Sequence, residues 1–571
     1  MASCSAAFAI PFDNTTVNGT VTIGDPSVVP GTYDYPSLTT ASLAFNAVAT
    51  PFIQGNWTVR LATNLTEAEN CGWGNTIPVG SSLTIKPALT ASLPVNVTFT
   101  TGSDTVAMAD GHFLIGAQQD TAATTDNFVY NTDNFTIDGS ANGTSSRDLI
   151  FQNTAAVGAA AAYIFQAIGP IDNTIIKNCI IRTGDMPSGT NEVSCFQFTS
   201  RYSTAVPVTP ESVPTNGQVI NCELRADDPD RPGVGFRSAR SGATLTAGFT
   251  INGLVVANND IYASAQAMRI ALAGNANVYN NRITVVGPMQ ANTNNFGGAI
   301  EHERANASGW TMNIYNNRFL QLRTFGATTP HGIPGAIHLG PLDTGTSGTY
   351  NIYNNMIAGF DYNPGSLYTY GGSNTDATMN AIRIDQAPSC TYNIYHNSIN
   401  IIDQPNITGT ADAVGRFAAI AVATASFTGT LNIKNNVIRQ AENLGSVFHR
   451  TAAASSLFSS DFNNSHLAGG LRFARVATTD YATLAAWQTS PGFPDANSTG
   501  VDPTVAQAGF TGAWVSATDL HFNAAPGPAY NGTPIALVPT DIDGDARSGS
   551  TPTKGVDEKA SAANVQTWTL Y

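Results

Sequence analysis

The chain repeats a short phrase in which apolar and polar residues alternate and which ends, in most copies, in two asparagines. The clearest copy is Ile314-Tyr315-Asn316-Asn317, and each copy is followed by one residue of any type and then an apolar one. Alternation with a period of two is typical of a β-strand. Copies occur at 176–179, 220–222, 256–259, 278–281, 314–317, 352–355, 394–397 and 433–436.

A second alternating phrase is interleaved with the first. Its copies lie at 267–270, 299–302, 336–339, 381–384 and 419–422, with weaker ones at Phe196 and Phe236. Each repeat therefore holds at least two short strands, separated by turns rich in Gly, Thr, Ser and Pro. The shortest interval of the first phrase, from Asn259 to Asn281, is 22 residues. That is the size of one coil of a parallel β-solenoid.

The asparagines of the first phrase predict a hydrogen-bonded column inside the solenoid. Strand alternation directs Ile314 inward and Tyr315 outward, so we expect Asn316 to turn back toward the interior at the corner. A buried amide is costly alone, but it can bond to amides in the coils above and below, about 4.8 Å away. The alternative is that the asparagine pairs only mark turns.

With these repeats the sequence resembles the right-handed parallel β-helix proteins, the fold of pectate-lyase-like enzymes and of many bacterial surface proteins. Residues 31–46 are similar to the N-terminal cap of secreted β-helix proteins of the Bacteroidetes type, and residues 541–547 to their C-terminal segment. The resemblance implies an all-β, right-handed parallel β-helix that is secreted or displayed on a bacterial cell surface. The predicted organisation is an N-terminal cap over 1–50, the β-helix over 51–465 and a C-terminal capping segment of irregular β-structure over 466–571.

Composition narrows the classes of function. The chain has 25 Lys and Arg against 40 Asp and Glu, a net charge of −15, which argues against a nucleic-acid partner. No run reaches the roughly 18 apolar residues that a membrane span needs. Six cysteines in 571 residues make no dense disulfide framework. Cys179 and Cys222 share one motif position, so we expect them to be stacked interior thiols.

One outward column of the predicted coil is aromatic. The second position of the first phrase holds a tyrosine in four copies, Tyr279, Tyr315, Tyr353 and Tyr395. An aromatic ladder can stack on sugar rings, which makes these tyrosines candidate substrate-binding residues. It can equally pack beneath a loop or a partner, including another copy of the chain.

A second outward column is rich in charge, although only 11% of the chain is charged. We expect Glu301 to lie one strand spacing from both Arg269 and His338 and to share a proton with His338, which makes these three the candidate catalytic residues. Arg237 and Arg383 are candidates for binding the carboxylates or sulfates of an acidic glycan. The alternative is a surface salt-bridge ladder. The column comprises Gln197, Arg237, Arg269, Glu301, His338, Arg383 and Ala421.

Two other features lie beside the candidate acid. Glu301 and Glu303 alternate along one predicted strand at about the carboxylate separation that a glycoside hydrolase uses. His302 faces inward in a row that is otherwise apolar, which indicates either a local bulge or an orienting role.

Acidic turns offer candidate calcium sites. Asp541, Asp543 and Asp545 with Gly544 imitate the start of an EF-hand loop, but Pro552 stands where the loop needs a glutamate. An end cap is the competing interpretation. The loop that holds Asp227, Asp228 and Asp230 is a second candidate, against an ordinary solvated acidic loop.

Two hypotheses of function follow. The favoured one is a non-catalytic extracellular or cell-surface protein, adhesive or structural, that binds a glycan or packs into a larger assembly. The alternative is a polysaccharide lyase or glycoside hydrolase that acts on an acidic glycan through the charged column. An enzyme requires an acid and a base that converge in a cleft.

Overall fold

The computed structural model places the chain mainly in short β-strands. It describes residues 12–25, 27, 33–49, 53–68, 71–100, 111–117, 131–154, 162–184, 193–199, 214–227, 233–239, 251–271, 274–288, 298–304, 308–325, 335–340, 347–363, 368–370, 379–385, 389–404, 407–409, 415, 417–424, 427–451, 458–490, 495–503, 519–522 and 526–558.

The chain divides into two compact units, residues 1–276 and 277–571. The elements of the first unit are β1 (Thr20–Ile23), α1 (Leu38–Asn46), β2 (Asn56–Leu61), β3 (Leu65–Glu67), β4 (Cys71–Trp73), β5 (Ser82–Pro87), β6 (Val95–Phe99), β7 (Gly111–Ile115), β8 (Phe135–Asp138), β9 (Leu149–Asn153), β10 (Ala162–Ile168), β11 (Ile175–Lys177), β12 (Cys179–Arg182), β13 (Val193–Thr199), β14 (Gln218–Ile220), β15 (Glu223–Ala226), β16 (Gly233–Ala239), β17 (Leu254–Ala257), β18 (Asp260–Ala263) and β19 (Gln266–Ala271).

The second unit begins within β20. Its elements are β20 (Ala276–Tyr279), β21 (Arg282–Pro288), β22 (Gly298–Arg304), β23 (Trp310–Tyr315), β24 (Arg318–Phe325), β25 (Gly335–Leu339), β26 (Gly348–Tyr353), β27 (Met356–Ile357), β28 (Phe360–Asn363), β29 (Tyr368–Tyr370), β30 (Ile382–Ile384), β31 (Thr391–Tyr395), β32 (Ser398–Ile401), β33 (Ile407–Gly409), β34 (Ala418–Val422), β35 (Thr430–Lys434), β36 (Val437–Gln440), β37 (Ser446–Arg450), β38 (Phe458–Asp461), β39 (Asn464–Leu467), β40 (Arg472–Val476), β41 (Thr479–Tyr481), α2 (Leu484–Gln488) and a 3₁₀ turn (Pro528–Tyr530).

Within each unit the strands form three parallel sheets, and each coil contributes one strand to each sheet. In the first unit sheet A is β1-β2-β5-β8-β11-β14-β17, sheet B is β4-β7-β10-β13-β16-β19 and sheet C is β3-β6-β9-β12-β15-β18. In the second unit sheet A is β20-β23-β26-β31-β35-β38, sheet B is β22-β25-β30-β34-β37-β40-β41 and sheet C is β21-β24-β27-β32-β36-β39, with β28 also paired to β24.

Counted over both units, each sheet contains 13 strands. The antiparallel pair β40–β41 is an exception to the parallel pairing, and β29 and β33 form a small separate sheet. Parallel strands joined coil by coil in this way form a right-handed parallel β-helix. The predicted fold class is confirmed.

The coil interior is filled by columns of side chains of one kind. In the first unit, aromatic rings follow sheet B with centroids about 5–6 Å apart. In the second unit, isoleucines take over, and Ile314, Ile352 and Ile394 occupy one fully buried column of sheet A. Parallel pairing in register produces such columns, because the same phrase returns in every coil.

The interior of the second unit also contains the predicted asparagine ladder. The amide nitrogen of Asn317 donates to Oδ1 of Asn355 at 3.0 Å, and Asn355 donates to Asn397 at 3.0 Å. Each Oδ1 also accepts the backbone N–H of the preceding ladder residue, for example that of Asn317 at 3.1 Å. The ladder consists of Asn281, Asn317, Asn355, Asn397, Asn436 and Asn463.

The expected inward turn of Asn316 is wrong by one residue. Asn316 adopts a left-handed φ of 55° at the corner, and the next residue, Asn317, faces the interior. The first asparagine of each pair therefore makes the turn and the second builds the ladder, so both interpretations of the asparagines apply to different positions. Asparagine tolerates this backbone region better than most other residues do.

Thiols replace asparagines at two ladder positions of the first unit. Cys179 and Cys222 are fully buried free thiols, and Asn259 accepts the backbone N–H of Cys222 at 2.8 Å. Burial raises the pKa of the Cys179 thiol well above its usual value. An uncharged sulfur suits this apolar interior.

Two parts of the C-terminal region pack on the second unit in different ways. Trp487 of α2 packs on Phe448 and Phe458 of the last coils. The hydroxyl of Ser498 accepts the backbone N–H of Asn463 at 2.8 Å and so ends the asparagine ladder. This part covers the end of the coil interior.

The second part, residues 519–522 and 526–558, is named here the C-terminal strap, and it runs along the corner rather than over the end. The buried guanidinium of Arg547 donates to Oδ1 of Asn354 at 2.8 Å, and the amide of Asn354 donates to the carbonyl of Thr540 at 2.9 Å. Asn435 likewise donates to the carbonyl of Thr533 at 2.6 Å. Among the described residues, no helix is long and apolar enough to cross a membrane.

Candidate functional site

The charged column predicted from the sequence exists as a column of sheet B, and each unit contains one part of it. In the first unit Gln197, Arg237 and Arg269 are paired in register on β13, β16 and β19. In the second unit Glu301 is paired with His338, and His338 with Arg383. Strand alternation therefore directs these side chains away from the coil interior, as expected, although Gln197 and Glu301 are buried there.

In the second unit three of these side chains form an ion-pair network with a fourth residue. Nδ1 of His338 lies 3.4 Å from Oε1 of Glu301, and its Nε2 lies 2.7 Å from Oδ2 of Asp385. Arg383 grips the same carboxylate with two nitrogens, at 2.7 Å and 2.9 Å. We name Glu301, His338, Arg383 and Asp385 the charged cluster.

Burial and ion pairing compete in the charged cluster. Burial disfavours the charged imidazole of His338, but the hydrogen bonds of Asp385 and Glu301 outweigh it and raise the pKa of His338 to about 9. Burial by itself would raise the pKa of the Asp385 carboxyl. The His338 and Arg383 cations outweigh burial and lower that pKa below its usual value. At neutral pH His338 is therefore a cation between two carboxyl groups, and Asp385 is an anion between His338 and Arg383.

These ion pairs occupy the side-chain groups that catalysis or glycan binding would need. Both ring nitrogens of His338 face carboxylates, and Arg383 is held by Asp385 in bidentate geometry, which leaves it poorly placed to grip a glycan. Sequence reasoning missed Asp385, although it stands two residues after Arg383 and so shares the outward face of the strand. The side chain of Glu303 lies outside the described residues.

The first-unit part of the column is built differently. Gln166 donates to Oε1 of Gln197 at 3.0 Å in a buried pair, and Arg237 donates to the hydroxyl of Tyr163 at 3.5 Å. Arg237 and Arg269 are half-buried.

His302 is an interior residue of the second unit. Its Nδ1 is 2.5 Å from the hydroxyl of Tyr350, and its ring packs edge-on against Trp310 and Tyr350. Hydrogen bonding to Tyr350 satisfies a polar group that faces the core, so this histidine has a structural partner.

The outward tyrosine column of sheet A is a stack. The rings of Tyr279 and Tyr315 lie 4.8 Å apart and 6° from parallel, and those of Tyr315 and Tyr353 lie 4.9 Å apart and 8° from parallel. Both faces of the Tyr315 ring are thereby covered by its neighbours, so this ring presents its edge and hydroxyl rather than a face to a ligand. Tyr395 continues the column and donates its hydroxyl to Oδ1 of Asn393 at 3.0 Å.

A second asparagine ladder runs beside the tyrosines on the outer surface. Asn313 donates to Asn277, and Asn351 to Asn313, each at 2.8 Å. Asn393 and Asn432 extend it at 2.8 Å and 2.9 Å. Four of its members are half-buried, whereas Asn351 is buried like the members of the interior ladder; the half-buried ones are Asn277, Asn313, Asn393 and Asn432.

A column of threonines completes this surface, two residues before the asparagines. Thr311, Thr349, Thr391 and Thr430 are paired in register and half-buried. Sequence reasoning recognised only the tyrosines, although the longer phrase Thr-x-Asn-Ile-Tyr recurs at 311–315, 349–353 and 391–395. We name the surface the Thr-Asn-Tyr face, and its members are Thr311, Thr349, Thr391, Thr430, Asn277, Asn313, Asn351, Asn393, Asn432, Tyr279, Tyr315, Tyr353 and Tyr395.

The Thr-Asn-Tyr face is uncharged over a wide pH range. Burial, helped by the neighbouring Tyr315, raises the pKa of Tyr353 to about 12, and burial also raises the pKa of Tyr395. After Tyr395 the next residue of this column is the charged Lys434, which is paired in register with Asp461. The face therefore offers neutral hydroxyl and amide groups.

In the acidic turn at Asp541, backbone N–H groups donate hydrogen bonds to the carboxylate of Asp541. Oδ1 of Asp541 accepts the backbone N–H of Asp543 at 2.9 Å and that of Asp545 at 2.8 Å. Asp543 is paired with Arg318 at 2.9 Å and with His521 at 2.9 Å. Within the part of the chain that the structure describes, no group of three His, Cys, Asp or Glu residues is arranged to hold a metal ion. Asp228 and Asp230 lie outside that part.

A cavity of about 20 Å³ lies inside the last coils of the second unit, lined among others by Ile433, Phe448 and Trp487. That volume has room for about one water molecule. It is a packing void of the interior and has no room for a sugar.

Comparison with known proteins assigns no activity to the chain. No family model and no curated protein matches it. Among solved structures, lacto-N-biosidase from Eubacterium ramulus is 11% identical, with a TM-score of 0.37, covering 82% of this chain and 68% of that one. Pectin methylesterase from Aspergillus niger is 14% identical, with a TM-score of 0.29, over 61% and 89%. The Streptococcus pneumoniae surface adhesin PfbA is 9% identical, with a TM-score of 0.25, over 80% and 91%.

Proposed function

We propose that this protein is a non-catalytic, extracellular β-helix that contacts its partner through the Thr-Asn-Tyr face. One observation carries the proposal: three columns of identical side chains stand side by side on the outer side of sheet A. Mutual hydrogen bonds fix the asparagine column and ring stacking fixes the tyrosine column. Interior columns of this kind serve the core. A column on the outer side does not fill the core. Its regular repeat fits adhesion to a repeating partner or packing into an assembly.

Preorganisation supports this use of the face. Asn351 is held from both sides, by Asn313 and by Asn393, and Tyr315 lies between two rings. Side chains that are already ordered lose little conformational entropy on binding, so a modest gain per contact becomes useful affinity.

The alternative is a lyase or hydrolase that uses the charged cluster on an acidic glycan. It is favoured by the position of His338 between two carboxylates, Glu301 and Asp385. The ion pairs of that cluster weigh against an enzyme. Both ring nitrogens of His338 face carboxylates, whereas a general acid must direct its proton at the substrate. We therefore propose secretion, adhesion and the absence of turnover together, as properties of one non-catalytic protein.

One experiment separates the two functions. Wild type, Thr349→Arg/Thr391→Arg and His338→Ala are assayed for binding and turnover on neutral and acidic polysaccharides, with Thr284→Arg on the outward side of sheet C as the matched control. We expect binding without turnover, loss of binding in the face variant alone and no effect of Thr284→Arg. Turnover that disappears in His338→Ala would establish the enzyme instead.

A further inference from the structure

We propose that the partner of the Thr-Asn-Tyr face is an uncharged polysaccharide in ordered, insoluble form. The inference rests on the proposed function and goes further, because it names the chemistry of the partner. Three properties of the face carry it: its charge, its unused hydrogen-bonding groups and its two-dimensional repeat.

Charge excludes acidic glycans from this face. Its three columns contain only Thr, Asn and Tyr, so no guanidinium or ammonium group lies within the array. The chain as a whole has a net charge of −15. Lys434 is the cation at the edge of the array, and it lies in register with the anionic Asp461. An anionic polymer would therefore meet long-range repulsion with little local charge to offset it, whereas a neutral polymer meets no such repulsion.

The hydrogen bonds that remain available match hydroxyl-bearing sugars. A side-chain amide has two N–H donors and an oxygen with two lone pairs. In the outward ladder the half-buried Asn313 donates once to Asn277 and accepts once from Asn351, so its amide retains an N–H and a lone pair for a ligand. The hydroxyls of Thr349, Thr391 and Thr430 add donors and acceptors on one side of the ladder, and the tyrosine edges add apolar contact on the other.

The repeat of the array indicates an ordered surface rather than a single dissolved chain. Adjacent coils are about 4.8 Å apart, and columns two residues apart along a parallel strand are about 6.6 Å apart. Because residues in one column are identical and in register, the same chemical group recurs at the same position in successive coils. One flexible chain reaches one row of such groups, while packed parallel chains reach all rows at once. Many weak contacts then act together.

The test is depletion of the full chain from solution by insoluble chitin and by insoluble cellulose, both uncharged, with soluble alginate as the anionic arm. We expect wild type and Thr284→Arg to be depleted by at least one of the two solids, with little change when NaCl is added. We expect Thr349→Arg/Thr391→Arg to bind about tenfold more weakly or worse, because two bulky cations interrupt the regular array. Circular dichroism of both variants establishes that the fold is retained.

The outcomes separate this inference from the proposed function. Wild type that binds neither solid, or binding that salt abolishes, would overturn the neutral-polysaccharide partner. If the face variant then lost binding to alginate, or lost self-association in sedimentation, the face would stand as the contact surface with a different partner. If the face variant behaved as wild type with every partner, the proposed function would fail too.

Discussion

The side-chain amide of Asn355 donates to Oδ1 of Asn397 across 3.0 Å inside the coil, and the same amide donates to the carbonyl of Ile314 at 2.9 Å. Each member of the interior ladder is thus bonded to the coils on both sides of it. We predict that Asn355→Leu lowers the free energy of unfolding by about 2–4 kcal/mol, because Asn317 and Asn397 lose buried partners. Chemical denaturation of wild type and Asn355→Leu measures this difference in the free energy of unfolding.

The matched control for this variant is Asn313→Leu in the outward ladder. Its amide is half-buried, so water can replace the lost partner and the cost should be about 1 kcal/mol or less. Equal losses in the two variants would contradict the distinction between an interior and an outward ladder.

Two tyrosines of β26 allow the same comparison for aromatic columns. Tyr350 is fully buried, stacked on Tyr392 at 5.0 Å and bonded to His302, whereas Tyr353 belongs to the outward stack. We expect Tyr350→Ala to destabilise the fold by about 3–5 kcal/mol. Tyr353→Ala should cost about 1 kcal/mol, the scale of one aromatic pair. Thermal melting of both variants distinguishes them, and the reverse order would be incompatible with the strand register.

The charged cluster predicts a pH dependence of stability. The pKa of His338 in the folded chain is about 9, above its usual value of 6.5, so the charged imidazole stabilises the folded state fully below about pH 6.5. That stabilisation, about 3 kcal/mol from the difference in pKa, is lost as the pH rises through 9. Denaturation of wild type and His338→Gln between pH 6 and 10 should therefore show curves that converge toward alkaline pH.

The comparison with His338→Gln is needed because other groups titrate in the same range. Burial lowers the pKa of Lys554 to about 8, which changes stability at alkaline pH in both proteins alike. The difference between the two curves isolates His338. A constant difference across the range would mean that the ion pairs with Glu301 and Asp385 do not form in solution.

The C-terminal strap gives a prediction about local stability. Arg547 is largely buried and binds Asn354 together with the carbonyls of Gly555 and Thr553. In Arg547→Met these acceptors lose their donor, so the strap should be released from the corner and become sensitive to limited proteolysis. The coils should keep their β-sheet circular dichroism. Wild-type resistance to protease would show that the apolar contacts of Tyr530 and Val556 hold the strap alone.

The fold was accessible from the sequence because Ile314, Tyr315 and their counterparts return in register, and alternation alone assigns their faces. The charged column followed from the same rule. The position of Asn316 was not accessible, since a corner residue leaves the strand period and its backbone conformation decides which of two asparagines turns inward. Periodicity also could not show that Arg383 is held by Asp385, or that Arg547 reaches Asn354 across almost two hundred residues.

The claim that the Thr-Asn-Tyr face is the contact surface is tested most directly by hydroxyl-radical footprinting of the chain bound to insoluble chitin or cellulose. Tyr279, Tyr315, Tyr353 and Tyr395 should be oxidised less in the bound protein than in the free protein, while Tyr262, on sheet C of the first unit, should be oxidised equally in both. Unchanged oxidation of the four tyrosines, with protection confined to the surroundings of His338, would contradict the account.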